Sequence, residues 1–125
     1  MVIGYYKMFK GKDTILMAGS GAEIIILRQV IMNWGQKAES LVANFGATTV
    51  VSLDGLRDVI LRPSATGTEN RVEVNDGEAI WSVSALQVNR MIALLEGLCA
   101  NSRAGHQYLD AGEGKIQIIC SKDEY

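Results

Sequence analysis

The chain has 125 residues, of which 48% are hydrophobic and 21% are charged, and its formal net charge is −2. This length and composition predict a single globular domain, residues 1–125, that is large enough to bury its own core. No apolar run approaches the roughly 20 residues that cross a bilayer, and the opening residues lack the pattern of a secretion signal. The weak net charge provides no general attraction for nucleic acid. We therefore expect a cytoplasmic protein with neither a membrane nor a nucleic-acid partner.

Two cysteines and one cluster of lysines are the first chemical features of the chain. Cys99 and Cys120 are expected to be buried thiols, because a cytosolic chain with two cysteines seldom uses them in a disulfide. Lys7, Lys10 and Lys12 lie close together near the amino end. They are interpreted as charges that protect a hairpin edge from self-pairing, with a phosphate-binding patch as the alternative.

Two short strands and a helix open the chain. Residues 5–9 and 14–18 flank Gly11, which predicts a β-hairpin with glycine in its turn. Ser20 and Glu23 then have the spacing of a capping box, in which the serine hydroxyl and the glutamate carboxylate satisfy free amides at the start of a helix.

The first helix is expected over residues 24–34, where eight of eleven residues are apolar. Its three polar residues fall within one narrow arc at 100° per residue: Arg28, Gln29 and Asn33. The β-branched run at 24–26 would also suit a strand, but the periodicity favours a helix.

A second hairpin is predicted across Asp54-Gly55, because this dipeptide is a strong turn signal. Its strands would be residues 48–53 and 58–62. Residues 64–70 have few anchoring side chains and are interpreted as a surface linker.

The elements after the linker repeat the order of those before it. They are strands at residues 71–74 and 78–83, a helix at 85–99, and strands at 107–110 and 115–121 on either side of a turn at 111–114. A second capping box, Ser84 with Gln87, begins this helix, which has one clear apolar face.

These patterns predict an α+β fold of two tandem ββαββ-like units, with mostly antiparallel sheet and two main helices packed on it. The pseudo-repeat halves would be about 1–63 and 71–125. The way in which the sheets of the two halves join, as one curved sheet or as two, is left open by the sequence.

The residues that could carry chemistry are few and scattered. One histidine, His106, and two cysteines 21 positions apart do not have the spacing of a metal site. The glycine-rich residues 18–22 lack the pattern of a phosphate or dinucleotide loop, so a helix cap is the simpler interpretation. We therefore assign no catalytic, cofactor-binding or metal-binding residue, and we expect no cofactor and a structural role for His106.

The carboxyl end resembles a group of known proteins. An amphipathic helix is followed by Gly-His-Gln-Tyr-Leu-Asp at 105–110 and by Ile-Gln-Ile-Ile-Cys-Ser at 116–121. This section is similar to small uncharacterised bacterial proteins, some of which are grouped with polymorphic-toxin immunity proteins. The resemblance covers about the last 45 residues and implies a non-catalytic, partner-binding role, but it transfers no site residue.

Three functions are compatible with these observations. The first is a small cytoplasmic bacterial protein that binds another protein or itself as an accessory or immunity-like module. The second is a binder of a small apolar ligand between sheet and helices. The third is an uncharacterised small enzyme, for which His106, Asp110 and Glu96 are the candidate residues. A cleft in which His106 meets a carboxylate would favour the enzyme.

The first helix also predicts self-association. Its apolar residues spread around more than half of its circumference, which is more than one sheet can cover. The equivalent helix of a second copy would cover the remainder in a homodimer. Ile25, Met32 and Trp34 are the residues expected at that interface.

Overall fold

The computed structural model describes residues 1–111 and 115–124, so most of the turn predicted at 111–114 lies outside the described residues. The strands are β1 (Val2–Phe9), β2 (Lys12–Gly19), β3 (Glu39–Ser40), β4 (Ser52–Asp54), β5 (Asp58–Pro63), β6 (Arg71–Asn75), β7 (Glu78–Val83), β8 (Gly105–Asp110) and β9 (Ile116–Lys122). The helices are α1 (Gly21–Met32), α2 (Leu41–Asn44) and α3 (Ala85–Cys99), with a short 3-10 helix at Gly46–Thr48. The predicted α+β class is confirmed.

The strands form two mixed sheets. One has five strands in the order β4-β1-β2-β9-β8, and the other has four in the order β3-β5-β7-β6. Among the described residues, four strand pairs are antiparallel: β1–β2, β3–β5, β6–β7 and β8–β9. Three are parallel: β1–β4, β2–β9 and β5–β7. Antiparallel pairing is therefore the commoner kind, as predicted, although by a narrow margin.

Each sheet combines strands from both halves of the chain. The β1–β2 hairpin is extended by β9 from the second half, and the β6–β7 hairpin is extended by β5 from the first. The outer neighbours are β8 and β3, so both sheets contain the arrangement hairpin, parallel strand, antiparallel strand. The chain thus forms two sheets by exchanging strands. Superposition of residues 1–63 on 71–125 stays a prediction.

The hairpin predicted across Asp54-Gly55 is wrong. Gly55 does turn the chain, with φ +69°, but β4 pairs with β1 while β5 enters the other sheet. The amide of Arg57 donates to the carbonyl of Gly77 at 2.8 Å. This hydrogen bond joins the connection between β4 and β5 to the turn between β6 and β7. Residues 64–70 then connect β5 to β6, and residues 65–69 among them are exposed.

Both main helices begin at the predicted serines. At α1 the capping box is complete, since the Ser20 hydroxyl accepts from the Glu23 amide and Glu23 accepts from the Ser20 amide. At α3 only half of it forms. The Ser84 hydroxyl accepts from the Gln87 amide, but the Gln87 side chain donates to the Leu109 carbonyl of β8 instead of returning to the cap. The helix is thereby joined to the five-stranded sheet.

One continuous core lies between the sheets and the helices. Trp81 of β7 is fully buried, α1 contributes Ile24, Leu27 and Ile31, and α3 contributes Met91, Leu95 and Leu98. Among the described residues, no helix is long and apolar enough to span a membrane.

The two matching hairpins turn in the same way with different residues. Lys10 and Gly11 have φ +51° and +85°, and Asp76 and Gly77 have φ +52° and +78°. A two-residue turn of type I′ requires a positive φ at both central positions, where Asn, Asp and Gly are favoured. Asp76-Gly77 meets this preference, whereas Lys10 does not.

Candidate functional site

The outer face of α1 carries the uncovered apolar side chains that the sequence predicted. Ile24, Leu27 and Ile31 face the core, whereas the side chains of Ile25 and Met32 are 56% and 46% exposed. These two residues are seven positions apart and therefore lie along one stripe of the helix. The chain covers the inner side of α1 and leaves an apolar stripe open.

A groove of about 460 Å³ runs beside this stripe. Its first wall is α1, and its second wall is the segment from the end of α2 into the 3-10 helix. The lining residues are Ile25, Ile26, Gln29, Val30, Asn33, Asn44, Phe45 and Thr48. None of them carries a charge, so the groove is apolar with amide and hydroxyl groups at its edges.

The two charged residues of α1 are both engaged within the chain. Glu23 contacts the Met1 ammonium and the Ser20 amide. The Met1 ammonium in particular lowers the pKa of the Glu23 carboxyl. Arg28 turns towards α3, where it donates to the Ile92 carbonyl at 3.4 Å and pairs with Glu96 at 3.4 Å. The outer face of α1 therefore presents no charged side chain of this helix.

The three residues expected at an interface lie in two different settings. Ile25 and Met32 are exposed on the open face, and Ile25 also lines the groove. Trp34 is half-buried, packs against the core, and donates from its indole nitrogen to the Lys37 carbonyl at 2.7 Å. Trp34 therefore contributes first to the fold of its own chain.

The second wall of the groove is the part of the site that sequence reasoning missed. Asn44 and Phe45 lie in the stretch 36–45, which the sequence suggests as a continuation of the first helix, whereas Thr48 is predicted to begin the strand at 48–53. Ser40 caps α2, accepting from the Ala43 amide at 3.0 Å, and Phe45 is buried. Ser40 was an available signal, because a serine before an apolar pair can begin a helix of its own.

His106 pairs with a carboxylate. Its Nδ1 lies 3.0 Å and 3.1 Å from the two carboxylate oxygens of Glu124, and the Ser121 hydroxyl donates to the same carboxylate at 2.7 Å. The Ser121 hydrogen bond is the main reason that the pKa of Glu124 is lowered, with His106 and Lys10 adding to it. The ring of His106 also meets Tyr108 edge to face. His106 is half-buried at this edge rather than part of the core.

A cleft of about 220 Å³ adjoins His106 at the end of α3, lined also by Asn101, Arg103 and Gln107. A carboxylate that holds Nδ1 leaves Nε2 available for proton transfer, which is the geometry of a general base. Among the described residues that line this cleft, none is a serine, cysteine or carboxylate. The pairing expected of an enzyme is present, and Ser121 contacts the same carboxylate, but among the described residues no nucleophile or second acid lines this cleft.

The other enzyme candidates lie elsewhere. Glu96 is exposed and paired with Arg28, and Asp110 lines a separate polar cavity of about 70 Å³ with Arg90. The sulfur of Cys99 lies 3.8 Å from the Gly21 carbonyl, and Cys120 is buried. The structure does not bring these groups to His106.

The glycine-rich start of α1 is filled by the chain's own carboxylate. Glu23 accepts from the Ser20 amide at 3.0 Å, and the Gly19 carbonyl accepts from the Asp123 amide at 3.0 Å. Within residues 1–111 and 115–124, no group of three or more His, Cys, Asp or Glu side chains is placed to hold a metal ion.

No protein-family model, curated protein or solved structure matches this chain.

Proposed function

We propose that this protein is a non-catalytic binding module that works through the outer face of α1, and that a second copy of the chain occupies this face. The supporting observation is an uncharged groove of about 460 Å³ beside the exposed side chains of Ile25 and Met32. A solvated helix face normally carries charge, whereas the centres of protein interfaces are depleted of it.

The face suits a twofold contact because groove and protruding side chains lie on the same helix. In a twofold dimer the same patch meets itself, so each copy must offer both an apolar projection and a place to receive one. Ile25 lines the groove, and Met32 lies about two helical turns further along the same side of α1. Two antiparallel α1 helices would place the projections of one copy along the groove of the other.

The mass of the protein in solution tests this proposal. Light scattering at micromolar concentration is expected to give twice the chain mass of 13.6 kDa. Ile25→Asp should give a monomer, because two like charges at a twofold contact weaken association by several kcal/mol, or about 100-fold and more.

Leu86→Asp is the matched control, since Leu86 is an exposed apolar residue of α3 outside the groove, and it should stay dimeric. A monomeric wild type, or a dimer unaffected by Ile25→Asp, would contradict self-association through α1.

A second candidate is the binding of a small apolar ligand in the same groove. Its volume lies in the range of ligand pockets, and the carboxamides of Gln29, Asn33 and Asn44 could orient a polar group. A fluorescent fatty acid would then bind a monomeric Met32→Asp variant, because Met32 lies on the open face but does not line the groove. Val30→Glu would abolish that binding. Absence of fatty-acid binding by this monomer would favour the protein occupant.

The wider role that we propose is that of a cytoplasmic accessory or immunity-like protein of bacterial origin. Two free thiols, Cys99 and Cys120, suit a reducing compartment. The resemblance of the carboxyl end to proteins grouped with immunity proteins supports partner binding rather than catalysis.

A further inference from the structure

Met8 has a conformation that a bulky residue seldom adopts. Its φ is +55°, in the left-handed region, and its side chain is 70% exposed. The register of β1 and β2 shifts between Tyr6 and Phe9, so Lys7 and Met8 form a bulge opposite Asp13. A bulge of this kind redirects a side chain out of the sheet.

Hydrogen bonds on both sides hold this bulge in place. The Met8 amide donates to the Asp13 carboxylate at 3.1 Å. The Phe9 carbonyl accepts from the Thr14 hydroxyl at 2.8 Å and from the Gln117 side chain at 3.0 Å, and both donors are buried. The exposed conformation of Met8 is therefore imposed from within the sheet. Backbone strain maintained in this way is concentrated at functional positions.

A second unfavourable residue lies two positions away. Lys10 occupies a turn position with φ +51°, where the matching hairpin has Asp76 with φ +52°. Asparagine and aspartate tolerate this conformation better than lysine does. The first hairpin thus has a lysine at this position in spite of backbone strain that aspartate reduces in the second hairpin.

The tip of this hairpin is positively charged. Lys7 and Lys10 are exposed on either side of Met8, and we call these three residues the hairpin-tip patch. The two neighbouring acids keep their charges but are outnumbered by the three lysines of residues 7–12. Asp13 accepts from the Met8 amide and the Tyr5 hydroxyl. Glu124 accepts from Ser121 and lies near both His106 and Lys10. The patch therefore offers one exposed apolar side chain that is flanked along the chain by two exposed lysines.

We infer that the hairpin-tip patch binds an acidic segment of a partner protein, with the Met8 side chain as its apolar anchor. Methionine is adaptable and common at protein-binding surfaces, and complementary charge directs such contacts. Two lysines and one methionine offer too little charge or apolar area for a nucleic acid or a membrane. This surface involves different residues from the α1 groove and does not depend on the homodimer.

Synthetic peptides test this inference directly. The probe is a fluorescein-labelled 12-residue peptide with six glutamates around a central Leu-Phe pair, compared with versions that carry glutamine or lysine in place of glutamate. The acidic peptide is expected to bind the wild type more tightly than either comparison peptide, and salt should weaken its binding. Met8→Asn should reduce its affinity by about tenfold, and Lys7→Gln with Lys10→Gln should reduce it similarly.

Thermal unfolding separates binding from damage to the fold. Met8→Asn and Lys10→Asn are expected to raise the melting temperature, because asparagine relieves the strain, while they weaken peptide binding. Asp76→Asn and Leu86→Ser are the matched controls for a turn residue and an exposed apolar residue, and both should bind the acidic peptide like the wild type. Ile25→Asp should also bind normally.

Several outcomes would overturn the inference. They are no binding of the acidic peptide, equal binding of the three peptides, undiminished binding by Met8→Asn, and tighter binding of a 12-nucleotide DNA or of phosphatidylserine vesicles than of the acidic peptide. Failure of the α1 dimer would leave the peptide result unaffected, so the two proposals can be judged separately.

Discussion

At the scale of single residues, two buried polar side chains connect α3 to the five-stranded sheet. Gln87 donates to the Leu109 carbonyl near the start of the helix. Lys122 of β9 donates to the Leu98 carbonyl at 2.7 Å and to the Asn101 carbonyl at 2.6 Å near its end. Lys122 is only 2% exposed, so its ammonium replaces water at the free carbonyls of the helix terminus.

Lys122→Met is therefore expected to destabilise the protein although methionine fills similar space. Two carbonyls would lose their charged donor, and a buried unsatisfied polar group costs about 1–3 kcal/mol. Chemical denaturation would measure the change, with Lys37→Met as an exposed control that should alter stability by less than about 0.5 kcal/mol. A loss for Lys122→Met no larger than that of the control would mean that water replaces the ammonium.

The thiol of Cys120 provides a test at alkaline pH. Burial in β9 raises its pKa to about 12, and the neighbouring Cys99 adds to the effect. The folded thiol therefore resists ionisation, whereas an unfolded cysteine ionises near pH 8.5. The protonated thiol therefore contributes its full share to the free energy of unfolding below about pH 8.5, and this contribution is lost as the pH rises towards 12.

We expect the free energy of unfolding to fall from about pH 8.5 upwards, by up to about 1.4 kcal/mol per pH unit. Cys120→Ala should flatten this fall, even if its overall stability is lower. Rapid reaction of Cys120 with a thiol reagent at pH 8 in the native state would contradict the assignment.

The residues that could be predicted were those with a local partner. Ser20 and Ser84 act on amides three positions away, so their spacing alone identified both helix starts. The partner of Gln87 lies 22 positions further on, and no local pattern indicates that carbonyl. His106 is similar, because Glu124 reaches it only after β8 and β9 have paired.

At the scale of elements, turn chemistry determined where the chain bends but not which strand it joins. Asp54-Gly55 bends as expected, yet β5 pairs in parallel with β7 through Val59 opposite Ala79 and Leu61 opposite Trp81. All four residues are buried. The free energy gained by burying these side chains favours the pairing of β5 with β7 over a local β4–β5 hairpin. Because the partner strand is distant in the sequence, the residues next to the turn do not indicate this pairing.

The caps of the two main helices make a comparison possible within one molecule. Ser84→Ala should cost about 1 kcal/mol, because the Gln87 amide loses its acceptor. Ser20→Ala should cost at least as much, since its capping box is complete and includes Glu23. Urea denaturation of both variants measures the difference. An unchanged midpoint for Ser84→Ala would mean that the α3 terminus is satisfied in another way.

At the scale of the whole molecule, the exchange of strands accounts for both the core and the open face. Because β5 and β9 cross between halves, the two sheets and both main helices share one core. The polar arc predicted for the first helix divides accordingly, with Arg28 turned to α3 and Gln29 and Asn33 at the groove. The excess apolar surface of that helix was predictable from its periodicity, but the groove needed the fold of residues 41–48.

The proposed homodimer, in which a second copy of the chain covers α1, is tested most directly by nuclear magnetic resonance of a mixed sample. Isotopically labelled protein is mixed with unlabelled protein, and nuclear Overhauser effects are recorded only between copies. We predict contacts from the methyl groups of Ile25 and Met32 of one copy to Ile26, Val30 or Phe45 of the other. Absence of any contact between copies at α1, in a sample at millimolar concentration, would contradict this homodimer.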